Sequence, residues 1–148
     1  MNKIVKSVLA ILMAGIAIQL FPYGRNHANP PVIGEPAWDS PATRVLAKKA
    51  CFDCHSNETT WPWYSRIAPV SWLVYRDVVE GREHLNFSEW RGGSRKGESS
   101  QEITKEISEG EMPPLQYYIV HPEAKLDGPA KKQLIDGLAA TAAGSARQ

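Results

Sequence analysis

Cysteine is scarce in this sequence, with only Cys51 and Cys54 among 148 residues, and methionine is almost as rare, Met112 being the sole one beyond Met1 and Met13. An exported chain with two cysteines usually carries one disulfide, but these two are separated by only Phe52 and Asp53 and are followed at once by His55, which calls for another reading. Neither sign of charge is in excess: 17 Lys and Arg face 16 Asp and Glu, and without Lys3 and Lys6 the balance turns slightly acidic. The basic field that a nucleic-acid-binding surface needs is missing, so no nucleic-acid partner is expected. No internal repeat and no alternating apolar pattern of strand length recurs, which leaves helices as the building material. The hydrophobic fraction of 43% is ordinary for one globular core.

The first residues stand apart. Lys3 and Lys6 precede an apolar stretch from Val8 to Leu20 in which Gln19 is the only strongly polar side chain. A core of about 13 apolar residues suits a signal peptide, and about 18, counted from Ile4 to Phe21, approaches the lower limit of a membrane span. Residues 1–21 are expected to stay as an N-terminal apolar helix anchoring the chain in the membrane, with a cleaved signal peptide as the alternative. Basic flanks stay inside, so either reading puts the remainder at the periplasmic side of the cytoplasmic membrane in a Gram-negative source.

Four prolines, Pro22, Pro30, Pro31 and Pro36, with Pro41 just beyond, make residues 22–38 a linker or wrapping arm, and Tyr23, Val32, Ile33 and Trp38 suggest that its second half lies on the domain. Asp39 or Ser40 can cap a helix that begins at Pro41 and leads into the cysteines. A second helix is expected from Pro69, carrying Val70, Leu73, Val74 and Val78, with Gly81 ending it. Glycines and serines from Arg91 to Ser100 read as a loop, after which Ser99 and Glu102 form a capping box. That helix, striped by Ile103 and Ile107, should stop at Gly110, and Pro113-Pro114 bar its continuation. A last helix after Asp127 turns Leu134, Ile135 and Leu138 inward and frays from Ala140. The domain proper is expected over residues 39–140, all-α, with a frayed tail at 141–148.

Cys51-Phe52-Asp53-Cys54-His55 is the attachment pattern of a c-type haem. Two thiols at this spacing add across the two vinyl groups of one porphyrin edge, and the histidine after the second can turn beneath the iron as an axial ligand. A thiol redox pair, half of a zinc site, or coincidence are the competing readings. The redox pair would follow a strand, whereas a capped helix is expected here; zinc would need a second ligand pair, whereas His27, His84 and His121 are isolated from one another.

A sixth iron ligand is expected from Met112, in Gly110-Glu111-Met112-Pro113-Pro114, where a glycine and prolines hold a loop without help from helix or strand. A core-filling methionine is the plainer alternative, and His84 is the rival ligand. Five tryptophans, among them Trp61, Trp63, Trp72 and Trp90, suit either the screening of a porphyrin or ordinary core packing.

The arm Arg25-Asn26-His27-Ala28-Asn29-Pro30-Pro31, the run from Ala50 to Thr59, Trp61-Pro62-Trp63-Tyr64, the stretch Ile67 to Trp72, His84-Leu85-Asn86-Phe87-Ser88-Glu89-Trp90 and the Met112 loop together resemble the haem-binding domain family of the cytochrome c superfamily. The resemblance runs from about Phe21 to Leu138. It implies a small cytochrome c-like helical domain around one covalent haem c, held by Cys51, Cys54 and His55, usually behind an N-terminal anchor. A Met-Pro loop is where cytochrome c relatives place the sixth ligand, which agrees with Met112.

Monohaem electron transfer at the outer face of the membrane, between a redox protein donor and acceptor, is the leading expectation, because the chain shows no further catalytic constellation. A peroxidase-like haem enzyme, with His84 as distal base, and a haem-based sensor of diatomic gases are the alternatives.

Overall fold

The computed structural model describes residues 2–90 and 100–145. Among these residues helices dominate and there is no strand, in agreement with the all-α expectation. The loop expected from Arg91 and the Ser99 capping position lie outside the described residues. The chain forms two compact units, one made of residues 1–28 and 60–77, the other of residues 29–59 and 78–148.

In the first unit, helix α1 (Lys3–Ile18) is capped by the Asn2 side chain and runs for 16 residues. At 1.5 Å per residue it is about 24 Å long, short of the roughly 30 Å hydrocarbon core of a bilayer. No helix among the described residues is long and apolar enough to cross a membrane, so the expected N-terminal anchor, and with it a placement at the periplasmic face of the cytoplasmic membrane, is not supported. The helix ends early for local reasons. The Gln19 amide is drawn to the backbone of Ala68, donating to its carbonyl at 2.9 Å and accepting from its N–H at 3.0 Å, and Pro22 disfavours helix at Phe21. Gly24, at φ +77°, lies where a Cβ would stand 2.6 Å from the Ser71 carbonyl oxygen. A 3-10 turn at Trp63–Arg66 and the first part of helix α4 (Val70–His84) complete this unit. His27 stacks on Trp61 at 4.4 Å and its Nε2 meets the Ser65 carbonyl at 3.0 Å.

In the second unit, helix α2 (Pro41–Ala50) starts as its sequence predicts, with Pro41 in the first turn and the Ser40 hydroxyl accepting from the Thr43 N–H. It runs into the four-residue helix α3 (Phe52–His55). Helix α5 (Ser100–Glu109) stops at Gly110, which takes φ +84°. Helix α6 (Leu115–Val120) was not expected; Pro113-Pro114 do end what precedes them, but Pro114 is extended and sits just before a new first turn. Helix α7 (Gly128–Ser145) is capped by Asp127, whose carboxylate accepts from the Ala130 N–H at 2.8 Å.

The frayed tail expected from Ala140 is corrected over its described part. Helix α7 continues to Ser145 because Thr141, 1% exposed, accepts a hydrogen bond from the Asp39 N–H, and the Ser145 hydroxyl accepts from the Trp90 indole at 2.9 Å. Helices α2 and α7 approach closely at Gly137, where a Cβ would lie 2.7 Å from the Thr43 methyl.

Ala47, Phe52, Leu85, Phe87, Ile107, Leu134 and Leu138 form the core, with Trp38, Cys51 and Trp90 packed against it. Trp38 lies 5.2 Å from the Phe87 ring and Trp90 stacks on the same ring at 6.0 Å, so these two half-buried tryptophans pack on the edge of the core. Trp38 also shows that the end of the arm lies on the domain. Val32 and Ile33 are exposed, and there the arm is held by backbone instead: the Ile33 and Gly34 N–H groups donate to the Ser88 carbonyl, and the Trp90 N–H donates to the Gly34 carbonyl.

Candidate functional site

The segment Cys51 to His55 is held from both ends. Phe52 is 2% exposed and stacks on Phe87 at 5.5 Å, so one of the two residues between the thiols anchors the segment in the core. A side chain of this kind contributes about 1.5–3 kcal/mol on full burial. At the other end the carbonyls of so short a helix need partners. The Phe52 carbonyl accepts from the Ser56 hydroxyl at 2.7 Å, the His55 carbonyl from the Phe87 N–H at 2.8 Å, and the Ser56 carbonyl from Arg82 Nε at 2.8 Å. Arg82 also donates to Asn29 and Thr59, and Thr59 donates to the Asp53 carbonyl. Asn57, Asn86 and Ser88 extend this polar layer: the Asn86 amide donates to Asn57 Oδ1 at 2.9 Å, and the Asn57 N–H donates to the Ser88 hydroxyl.

The His55 ring is oriented by helix α4. Its Nδ1 lies 2.9 Å from the Gly81 carbonyl and 3.1 Å from the Leu85 carbonyl. Both partners are acceptors only, so Nδ1 carries the proton and the neutral ring has its lone pair on Nε2. That tautomer suits a metal ligand, and a carbonyl behind the ring makes it more basic.

Gly81 permits this approach. It does not end α4, as expected, but lies inside it, where a Cβ would stand 2.5 Å from the Cys54 carbonyl oxygen and 3.1 Å from Cys54 Cβ. Here tertiary contact outweighs the poor helix propensity of glycine. Gly81→Ala is expected to cost about 1–3 kcal/mol as an overpacked contact and to lower the yield of haem-loaded protein. Thermal unfolding and the ratio of haem to protein check this; an unchanged Tm and full loading would refute it.

Cys51 and Cys54 are not joined in a disulfide. Burial pushes the Cys51 thiol up to about 12, with the neighbouring Cys54 adding to the effect. A redox-active pair depends on a lowered thiol pKa and here would follow a helix rather than a strand, so the thiol-redox reading loses ground. Among the described residues no three His, Cys, Asp or Glu side chains cluster as a metal site.

Met112 lies in the loop between α5 and α6, 41% exposed, and its N–H donates to the Glu106 carbonyl at 3.2 Å. The described contacts do not bring it directly onto the Cys51–His55 segment, but they do bring the helix that follows it there. Tyr117 of α6 donates from its hydroxyl to Asp53 Oδ2 at 2.7 Å and stacks on His121 at 4.3 Å. Burial and the bond to Asp53 push the Tyr117 phenol far up, so it remains a neutral donor; burial and then Cys51 raise Tyr118. Helix α6 leaves an apolar face open, with Leu115 at 78% and Ile119 at 76% exposure. His84 is exposed in the last turn of α4, and His121 Nδ1 meets the Glu123 carboxylate at 3.2 Å.

Sequence reasoning missed Tyr117, Asp53, Arg82 and Asn57 as supports of this site. Their only signal was that Asp53 and Asn57 fall within strings that carried the family resemblance.

Two thiols, an imidazole with its lone pair on Nε2, and an open apolar helix face tied to the same segment fit a haem. The fold and site thus define a small all-α domain with a donor set suited to that group. The chain belongs to the haem-binding domain family, whose model matches residues 13–140, and it is a haem-binding protein. Searches of curated proteins and of solved structures returned no match to it.

Proposed function

We infer that the protein is a monohaem c-type cytochrome that transfers single electrons between a redox protein donor and acceptor. In this reading Cys51 and Cys54 would hold one haem by two thioether bonds, and His55 and Met112 would ligate its iron. A haem held there would supply one-electron chemistry.

The observation that carries this reading is the pinned His55 ring behind two thiols of the right spacing. The chain's own contribution is positional: Phe52 fixes the segment in the core, the Gly81 and Leu85 carbonyls set the tautomer, and Arg82 satisfies the helix end. A rigid ligand set of this kind limits reorganisation when the charge on iron changes.

Absorption spectra of both oxidation states, followed by carbon monoxide addition to the reduced protein, test the function. A six-coordinate spectrum that carbon monoxide leaves unchanged on mixing is expected of an electron carrier. Rapid binding would overturn it in favour of a peroxidase-like enzyme or a gas sensor.

A further inference from the structure

Helix α6 has little reason to hold its place alone. It is six residues long, has no side-chain cap and fully buries none of its residues, and helices this short are unstable in isolation. Its upstream tether is the end of α5, where the Glu111 and Met112 N–H groups both donate to the Glu106 carbonyl. On the downstream side the Tyr117 ring stacks on His121, and the 3-10 turn at Pro122–Ala124 is fastened by the fully buried Ala124. A polar side-chain bond reaches from α6 to the Cys51–His55 segment across 64 residues of sequence: Tyr117 Oη donates to Asp53 Oδ2 at 2.7 Å.

We propose that Tyr117 is a positioning residue whose hydrogen bond to Asp53 fastens the Met112 loop to the Cys51–His55 segment and so keeps the methionine sulfur on the iron. The inference rests on the reading of Met112 as the sixth ligand. Asp53 sits between the two thiols on the stretch that Phe52 locks into the core, so a bond to it refers the loop directly to the place where the haem is attached. Tyr117 acts through this bond.

The test uses the full-length haem-loaded protein, with Tyr117→Phe, Asp53→Ala, Asp53→Asn and Met112→Ala made in parallel. Tyr117→Phe keeps the ring and its stacking and removes only the donor. It should retain covalent haem but weaken the far-red sulfur-to-ferric-iron band, and reduced protein should take up carbon monoxide roughly tenfold faster, the scale set by losing a hydrogen bond to a charged acceptor. Asp53→Ala should reproduce this, and Asp53→Asn, whose amide oxygen still accepts, should restore slow uptake. Hydrogen exchange of the amides from Leu115 to His121 should accelerate in Tyr117→Phe and Asp53→Ala, a change that does not depend on redox activity. If Met112→Ala alters band and uptake while Tyr117→Phe leaves both at wild-type values, the positioning role is wrong and the ligand stands. If Met112→Ala itself changes nothing, the ligand reading fails, and the positioning role with it.

Discussion

Replacing both Cys51 and Cys54 by alanine is expected to abolish covalent haem completely. A c-type haem survives denaturation and organic extraction because carbon–sulfur bonds hold it, whereas ligation by His55 alone is lost when the fold is lost. The wild-type polypeptide, expressed where c-type haem is matured, should therefore stain for haem after denaturing electrophoresis, and the double variant should not. Each single variant keeps one thiol and should keep some stain. The alkaline pyridine spectrum adds a count: two thioethers saturate both vinyl groups and shift the band relative to a haem with free vinyls. Haem that remains bound in the denatured double variant, or a wild type loaded with zinc, would overturn the attachment. Cys51 packs against the core, and Phe52 beside it is one of the largest fully buried side chains, so Cys51→Ala removes a packing contact as well as the proposed thioether. Ser replacements, which approximate the cysteine volume, separate the two effects; the stain should vanish with serine too.

The spacing from Cys51 to His55 can be read without the fold because the chemistry proposed for it is local: two thiols for one porphyrin edge and an imidazole for its iron, all from one short segment. Helix α2, the end of α5 and the start of α7 were legible for a similar reason, since Ser40, Gly110 and Asp127 act within their own turn. What sequence could not show depends on contacts distant along the chain. Gly81 looks like a helix stop when only its neighbours are considered, and becomes an interior residue once Cys54 is packed against it. Thr141 looks like the start of a loose end until Asp39 is placed beside it. Gln19 looks like a tolerated polar residue in an apolar stretch, yet its pairing with Ala68 marks where that helix ends and makes it too short for a bilayer. Asp53 carries the same lesson within the motif: its spacing role is visible in sequence, but its bond to Tyr117 is not.

Met112→Ala is expected to turn an electron carrier into a ligand-binding haem. Met112 is the only methionine outside the first 13 residues, and it lies in a loop that the Glu106 carbonyl holds at one end and the Tyr117–Asp53 bond at the other. A thioether is a neutral, soft donor that favours ferrous iron, so its loss should lower the reduction potential by on the order of a hundred millivolts, within the roughly 0.8 V that axial ligands span. The oxidised variant should lose the weak far-red band of a sulfur–ferric bond, and the reduced variant should bind carbon monoxide on mixing. Stability should change less, because Met112 is 41% exposed and leaves no enclosed cavity when truncated. Potentiometry, the far-red spectrum and carbon monoxide kinetics on one preparation decide the matter together. His84→Ala is the control: it removes an exposed imidazole from the last turn of α4 and should leave all three unchanged. If His84→Ala moves the spectrum and Met112→Ala does not, the sixth ligand is the imidazole. A bis-imidazole iron would then sit at lower potential, and the protein would be a low-potential carrier or a haem enzyme whose open face is reached by displacing His84.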